Sequence, residues 1–241
     1  MRPLRCKNRS VTVTHDAVAT SGFDALQIPM PEEELQERFE MLQRKLVSQW
    51  ELIEGFTDEP YGIVVVPSLS GIDLPLDAAK RQAYEERYLF LLFLLRQPRA
   101  RLVYVTSEPI QPSIIDYYLG LLPGVVANHA RQRLYLVSPH DSGPPPLSAK
   151  LLERPRLIEE IRSLAGDPDR AHLVPYSTTR LERDLALRLG IPLYGADPKF
   201  SGLGTKSGSR ALFAEAGVQH PQGREGVRTR DDVIEAVIEL V

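Results

Sequence analysis

The sequence predicts an α/β protein whose core is a Rossmann-like, doubly wound and mostly parallel sheet. Short apolar runs rich in β-branched residues, such as residues 62–66, alternate along the chain with segments of helical periodicity. The runs are continuous rather than alternating in polarity, which is typical of strands covered by helices on both faces. Strands that alternate with helices favour βαβ units, parallel pairing and right-handed crossovers.

The first part of the chain lacks this pattern. Residues 1–30 show no helical period, and we expect an N-terminal arm with at most a short strand at residues 11–13. A first helix is predicted from Pro31 to about Trp50, because a proline followed by three glutamates is a typical helix start. Its apolar residues recur at helical spacing. This apolar helix, with Trp50 near its end, is a candidate surface for a homodimer.

Five strands and four further helices are predicted between residues 62 and 194. The predicted strands are residues 62–66, 102–106, 133–137, 171–174 and 191–194. The predicted helices are residues 76–96, 112–121, 151–164 (with a break near Pro155) and 178–189. Pro98 stops the first of these helices, and Gly190 closes the last as a C-terminal glycine cap.

Composition excludes several classes of partner. The 29 basic and 32 acidic residues give a net charge of −3, which argues against a nucleic-acid-binding surface spread over the whole protein and leaves a local basic patch as the alternative. Cys6 is the only cysteine, so no intramolecular disulfide can form and a cytoplasmic location is expected. The longest apolar run, residues 88–95, is far too short to span a membrane.

Ligands of doubly wound sheets bind at the carboxyl ends of the strands. Ser68, Ser70 and Gly71 follow the first strand, and Ser107 and Glu108 follow the second, so these five are predicted to bind substrate. Ser68, Ser70 and Gly71 are equally consistent with a polar turn that caps the next helix. Glu108 is equally consistent with an ammonium-binding group and with a cap for the following helix.

A small-residue loop near the C-terminus is a candidate phosphate site. The four residues concerned precede or begin a predicted helix, where backbone N–H groups and the helix dipole favour an anion: Gly204, Thr205, Lys206 and Ser207. The loop departs from the P-loop pattern at Phe200 and at Thr205. The alternative is a flexible loop with a solvated lysine.

Several well-known sites are missing from the sequence. No Gly-x-Gly-x-x-Gly follows the first strand, which argues against an NAD enzyme. No Gly-x-Ser-x-Gly is present, so a hydrolase nucleophile is lacking. The five histidines are scattered and indicate no metal site. No catalytic or metal-ligating residue is therefore predicted.

Residues 195–241 carry a family resemblance. Lys206 opens a helix that ends in Ala-Gly-Val at residues 216–218, Pro221 follows, and a second helix begins near Asp231 and Asp232. This pattern resembles the entry to an ATP-grasp domain. The amino-acid sequence of residues 204–210 and 67–70 is similar to that of the pheganomycin-type peptide ligases, which are carboxylate–amine ligases. The resemblance implies a pre-ATP-grasp domain at residues 31–198 and the first helices of an ATP-grasp domain at residues 199–241.

The resemblance also implies chemistry. Such ligases use ATP and Mg²⁺ to convert a carboxylate into an acyl phosphate, which an amine or peptide then attacks, and Lys206 is expected to contact the phosphates. The metal ligands of the family lie beyond the position of Val241, so these 241 residues are expected to be inactive alone. The alternatives are a stand-alone Rossmann-like module for ligand binding or dimerisation, and a degenerate P-loop protein.

Overall fold

The computed structural model describes residues 30–54, 59–72, 75–122, 124 and 127–240, with only the backbone for residues 50–54. The predicted N-terminal arm lies outside the described part, except for Met30. The predicted strand at residues 11–13 and the side chain of Trp50 lie outside it as well.

Four parallel strands form one sheet in the order β3-β2-β1-β4. The strands are β1 (Tyr61–Val66), β2 (Ala100–Val105), β3 (Leu134–Val137) and β4 (Ala171–Pro175). The chain moves outward from β1 through β2 to β3 and then crosses back, so the switch point lies between β1 and β4. The predicted doubly wound, parallel sheet is confirmed.

Helices connect these strands and extend the chain beyond the sheet. The α-helices are α1 (Glu32–Glu54), α2 (Ala78–Glu86), α3 (Pro112–Gly120), α4 (Ala127–Arg131), α5 (Leu147–Leu152), α6 (Pro155–Ala165), α7 (Arg180–Leu189), α8 (Lys206–Glu215) and α9 (Arg230–Leu240). Short 3₁₀ segments lie at Arg87–Arg96, Pro168–Arg170 and Pro198–Gly204. None of the helices in the described ranges is long and apolar enough to cross a membrane.

Both faces of the sheet are buried. Val64 and Val66 of β1 pack into a cluster with α1, α5, α6 and α7, whereas Ile63 and Val65 pack on the opposite face with the Arg87–Arg96 segment and α3. Successive residues of a strand point to opposite faces, so a strand covered on both sides needs an unbroken apolar run. The apolar face of α1 contributes Phe39 to the core of its own domain.

The predicted helix at residues 76–96 is present, but its second half is a 3₁₀ helix. The α-helix begins after Asp77, whose side chain accepts a hydrogen bond from the Lys80 amide, and it changes to a 3₁₀ helix at Arg87. A 3₁₀ helix repeats every three residues. Leu89, Leu92 and Leu95 therefore line up and are all buried.

The predicted fifth strand at residues 191–194 is wrong, because Leu193 forms only one isolated bridge with β4. Pro192 has no N–H to offer a ladder. The side chain of Gln43 occupies the outer edge instead: its Nε2 donates to Leu193 O at 2.9 Å, and Leu193 N donates to Gln43 Oε1 at 2.7 Å. A side-chain amide thus closes this edge of the sheet.

The C-terminal helices form where predicted, but they do not cover a core. Gly217 has a φ of 67° and the Val218 amide reaches back to Phe213 O, a Schellman ending in which a glycine caps α8. Leu212 and Phe213 of α8 are each 41% exposed.

The start of α9 carries a side-chain cap. Thr229 Oγ1 accepts from the Asp232 amide at 3.1 Å, and the Asp232 carboxylate accepts from the Thr229 amide at 2.8 Å. The cap residue is therefore Thr229, and Asp232 completes a reciprocal pair that resembles a capping box.

Candidate functional site

Two of the predicted substrate residues, Ser68 and Ser70, lie at the switch point, and their side chains are buried. Ser70 Oγ donates to Glu182 Oε1 at 2.5 Å. The two serine hydroxyls are 2.8 Å apart, so Ser68 must donate to Ser70, and Ser68 in turn accepts from the Ser148 amide at 3.0 Å. A directed chain of hydrogen bonds therefore ends on a buried carboxylate.

This chain of hydrogen bonds supports the start of α7. Glu182 Oε2 accepts from the amide and the hydroxyl of Thr179 at 2.9 and 2.6 Å, which forms a capping box. The serines thus stabilise α7, whereas the next helix in sequence, α2, begins at its own cap Asp77. Binding of substrate by Ser68 and Ser70 stays a prediction.

Ser107, after β2, joins two buried charges. Its amide and its hydroxyl donate to the two oxygens of Glu85 at 2.6 and 2.7 Å. The Lys150 ammonium donates to Ser107 Oγ at 3.0 Å and to Asp141 O at 2.6 Å. Glu85 and Lys150 are each only 1% exposed, and Ser107 is therefore the link between an acid and a base in the interior.

Burial dominates the protonation of this pair. Removal from water raises the pKa of Glu85, although the bonds from Ser107 and the charges of Lys150 and Arg81 oppose the rise. Burial likewise lowers the pKa of Lys150, with Asp141 and Glu85 acting in the opposite direction. Each charge therefore depends on the other for its stabilisation.

A cavity of about 340 Å³ lies beside this network, between the end of β1, α2 and the loop before α5. Gly71 and Glu85 both form part of its wall, and binding of substrate beside Gly71 stays a prediction. Arg81, one turn before Glu85 on α2, is the other charged residue of the lining. The remaining lining is apolar: Leu69, Ile72, Leu76, Pro144, Pro146 and Leu147.

Glu108 is held through its backbone. Its amide donates to Gln82 Oε1 and its carbonyl accepts from Gln82 Nε2, both at 3.1 Å. The following helix, α3, begins after Gln111 and has no side-chain cap. The structure therefore does not use Glu108 as that cap, and its role toward an ammonium group stays a prediction.

The predicted phosphate site lies where the Pro198–Gly204 segment meets α8, and it comprises Gly204, Thr205, Lys206 and Ser207. Thr205 is the N-cap of α8, and its hydroxyl accepts from the Gly208 amide at 3.0 Å. A Cβ on Gly208 would lie 1.9 Å from Gly202 O, so only glycine permits this close approach. Within the described residues the exposed Lys206 ammonium forms neither an ion pair nor a hydrogen bond.

One neighbouring charge opposes an anion at this site. Glu225 lies beside Ser207 and Arg210, and its interactions first with the Ser207 hydroxyl and then with Arg210 lower the pKa of its carboxyl. A phosphate beside Ser207 would therefore have to displace or neutralise this carboxylate. The lysine and the helix end favour an anion, and Glu225 disfavours it.

Three residues of the cavity and its network were not predicted: Arg81, Glu85 and Lys150. Arg81 and Glu85 are four residues apart in the helix after the first strand, a spacing that places both on one face. That spacing is common on exposed helices and does not reveal burial. Lys150 carries no local signal either, because its burial depends on Ser107. Among the described residues no group of three or more His, Cys, Asp or Glu side chains could hold a metal ion.

Comparison with known proteins gives one family and two relatives. Residues 99–191 match the family described as the Pre ATP-grasp domain. The chain is 32% identical over 162 residues to L-propargylglycine–L-glutamate ligase of Streptantibioticus cattleyicolor, which covers 64% of this chain and 33% of that protein. It is 25% identical over 223 residues to IQ motif-containing protein H of Danio rerio, which covers 85% of this chain and 21% of that protein.

The matched segment therefore spans a third or less of each relative's length. No solved structure matches the chain. The four-stranded parallel sheet lies mostly inside the matched family region, which begins at the residue before β2 and ends just after α7.

Proposed function

We propose that this chain is the N-terminal part of an ATP-dependent carboxylate–amine ligase that makes peptide bonds, with a pre-ATP-grasp domain related to that of the ligase it resembles. The observation that carries this proposal is the 32% identity to a ligase whose name joins two amino acids, together with the family match at residues 99–191. Small-molecule substrates with a carboxylate and an amine follow from the same relative.

The roles of the residues follow from their positions. The exposed Lys206 ammonium and the N-terminal end of α8 bind phosphate oxygens, with Gly204, Thr205 and Ser207 shaping the approach. ATP supplies the phosphoryl group that activates the substrate carboxylate as an acyl phosphate. The cavity beside Gly71 and Glu85 holds a substrate. The described residues offer no Mg²⁺ ligand cluster, so the proposal assigns them no metal and no step that requires one.

These 241 residues alone are proposed to be inactive, because the related ligase is about three times as long as the segment matched here. We also propose a cytoplasmic setting, in keeping with the single cysteine and the need for ATP. Pairing of two chains through α1 stays a prediction that its buried face does not favour.

The experiment is an assay of the protein translated from the whole reading frame that contains these residues. It is incubated with ATP, Mg²⁺ and pairs of amino acids, and ADP and amide products are measured by coupled assay and mass spectrometry. We expect ADP and a dipeptide in equal amounts, with hydroxylamine trapping the activated carboxylate as a hydroxamate. ADP without any amide or hydroxamate contradicts a carboxylate–amine ligase.

The phosphate role of Lys206 has a matched control in Lys199, which lies in the same segment but is engaged by Glu40 at 2.7 Å. Lys206→Ala is expected to raise the KM for ATP about tenfold or more, as for loss of one bond to a charged group. Lys199→Ala is expected to leave it unchanged. An equal rise of the KM for ATP in the two variants would contradict binding of phosphate by Lys206.

Calorimetry on the 241 residues tests the alternative module. Binding of ATP that Lys206→Ala abolishes favours a self-sufficient nucleotide-binding unit, and no binding agrees with part of a larger ligase.

A further inference from the structure

The cavity beside α2 presents two opposite charges that are not paired with each other. Arg81 and Glu85 lie at the i, i+4 spacing at which an arginine and a glutamate normally form an ion pair on a helix. Both line the cavity, yet no ion pair joins these two described residues. Each side chain is held by other groups, so the charges stay apart on one wall.

Arg81 is fixed by backbone oxygens. Its Nη1 donates to Ser142 O at 3.0 Å and to Gly143 O at 2.8 Å, and its Nη2 donates to Leu76 O at 3.2 Å. A guanidinium has five N–H donors, so among the described residues two remain for a ligand. None of these three bonds neutralises the positive charge, because all the acceptors are carbonyl groups.

Glu85 is fixed by neutral donors. Ser107 supplies one hydrogen bond to each carboxylate oxygen, and an ionised carboxylate can accept about four. The Lys150 ammonium contacts Glu85 only through the Ser107 hydroxyl. A buried carboxylate with no direct cation is strongly stabilised by an ammonium group placed against it.

The rest of the cavity is suited to an apolar group. Leucine, isoleucine and proline side chains form its other walls, and its volume of about 340 Å³ is at the lower end of small-molecule sites. Such a space suits a ligand of amino-acid size better than a nucleotide.

We propose that this cavity binds the zwitterionic end of an apolar α-amino acid, with the ligand carboxylate on Arg81, the ammonium on Glu85 and the side chain among the leucines and prolines. Arg81 and Glu85 set specificity by charge, and the separation imposed by their carbonyl and serine partners pre-organises them for a ligand that carries both charges. This inference rests on the proposed function, since the bound amino acid is a ligase substrate.

The test is calorimetry on the 241-residue chain, without ATP, using L-leucine, L-leucine methyl ester and N-acetyl-L-leucine. The ester lacks the negative charge and the acetyl derivative lacks the positive charge. We expect L-leucine to bind at least about tenfold more tightly than either analogue. Equal affinity for the three ligands, or no binding of L-leucine, overturns the proposal, and this result needs no variant.

Variants then assign each preference to one side chain. Arg81→Gln is expected to abolish the preference for L-leucine over the methyl ester but to keep the preference over N-acetyl-L-leucine. Glu85→Gln is expected to abolish the preference over N-acetyl-L-leucine but to keep the preference over the ester. Lys80→Gln and Glu86→Gln on the same helix are matched controls that keep both preferences. Loss of both preferences in Lys80→Gln overturns the assignment.

The outcome is separable from that of the ligase assay. Formation of ADP and amide by the longer protein, with no charge preference in the binding series, leaves the ligase and removes the amino-acid site. A clear preference for L-leucine in the binding series, with no amide formed by the longer protein, supports the amino-acid site and contradicts the ligase.

Discussion

The sheet domain and the C-terminal segment at residues 198–240 differ in how far their apolar side chains are buried. In the sheet domain the apolar residues of β1 and β2 are almost completely buried between two layers of helices. In the C-terminal segment most large apolar side chains are exposed: Phe200, Leu203, Leu212, Phe213, Val218, Val227, Val233, Ile234, Val237, Ile238 and Leu240. Ala236 is the one buried apolar residue described there.

The two regions also differ in how far apart in the sequence their hydrogen-bonded residues are. Ser70 and Glu182 are 112 residues apart, and Gln43 and Leu193 are 150 residues apart. Within the C-terminal segment the hydrogen bonds join described residues at most 15 positions apart, such as Arg210 with Glu225 or the Gly208 amide with Thr205, and the contact of Lys199 with Glu40 of α1 is the exception. Helix ends are therefore encoded locally, whereas a core needs distant segments. The free energy of unfolding of the sheet domain should thus be insensitive to defects in the C-terminal segment.

The largest effect is expected from Lys150→Met. Removing the buried ammonium leaves Ser107 Oγ and Asp141 O without their donor and takes away a charge that opposes the desolvation of Glu85, which we expect to cost about 3 to 5 kcal/mol of the free energy of unfolding. Urea denaturation followed by circular dichroism measures it. Lys206→Met, in the C-terminal segment, is the matched control and should cause no change.

A double variant isolates the cause. Lys150→Met combined with Glu85→Gln should recover part of the loss, because no uncompensated charge then remains. Additive losses would show that packing, and not charge, explains the effect of Lys150→Met.

The next comparison uses two glycines that face backbone oxygens. A Cβ on Gly62 would lie 2.3 Å from Ala165 O, and one on Gly208 would lie 1.9 Å from Gly202 O. We expect Gly62→Ala to cost about 2 to 3 kcal/mol, because β1 and α6 must separate. Gly208→Ala should disturb only α8, visible as faster hydrogen exchange there.

Gly120→Ala is the control for this pair, since its Cβ meets nothing within 4 Å. Equal losses in the free energy of unfolding for Gly62→Ala and Gly208→Ala would mean that the two regions unfold as one unit.

The sequence predicted what local patterns encode. The unbroken runs of β1 and β2, the glycine cap at Gly190 and the start of α8 at Lys206 were recognised because each signal lies within a few residues. Residues 191–194 do not form the predicted strand: Leu193 makes one bridge with β4, and its own backbone N–H and carbonyl bond to the side chain of Gln43, a distant residue that no local pattern indicates. In the site, Gly71 was predicted to line a ligand cavity, but the burial of Glu85 and Lys150 depends on tertiary contacts that no local pattern reports.

A third comparison concerns acid sensitivity. Burial lowers the pKa of His172, on β4, from 6.5 to about 4. As pH falls below 6.5, His172 becomes protonated in the unfolded chain but stays neutral in the folded chain. The contribution of His172 to the free energy of unfolding therefore falls between pH 6.5 and about 4 and is constant below that. At pH 5 we expect a loss of about 1 to 2 kcal/mol, allowing for partial exposure of the ring.

His172→Gln should remove this part of the pH dependence, measured by urea denaturation at pH 7 and pH 5. His220→Gln, in the C-terminal segment, should keep the slope of the wild type. An unchanged slope in His172→Gln refutes the assignment.

The smallest effects are expected from two threonine caps. Thr179 Oγ1 accepts from the Leu181 amide at 3.1 Å at the start of α7, and Thr205 Oγ1 accepts from the Gly208 amide at 3.0 Å at the start of α8. Thr179→Ala should lower the free energy of unfolding by about 1 kcal/mol, and Thr179→Ser should restore it. Thr205→Ala removes a cap of the same kind, but α8 lies outside the sheet core, so only the exchange of its first amides should accelerate. A loss of global stability in Thr205→Ala equal to that in Thr179→Ala would show that α8 belongs to the same cooperative unit as the sheet.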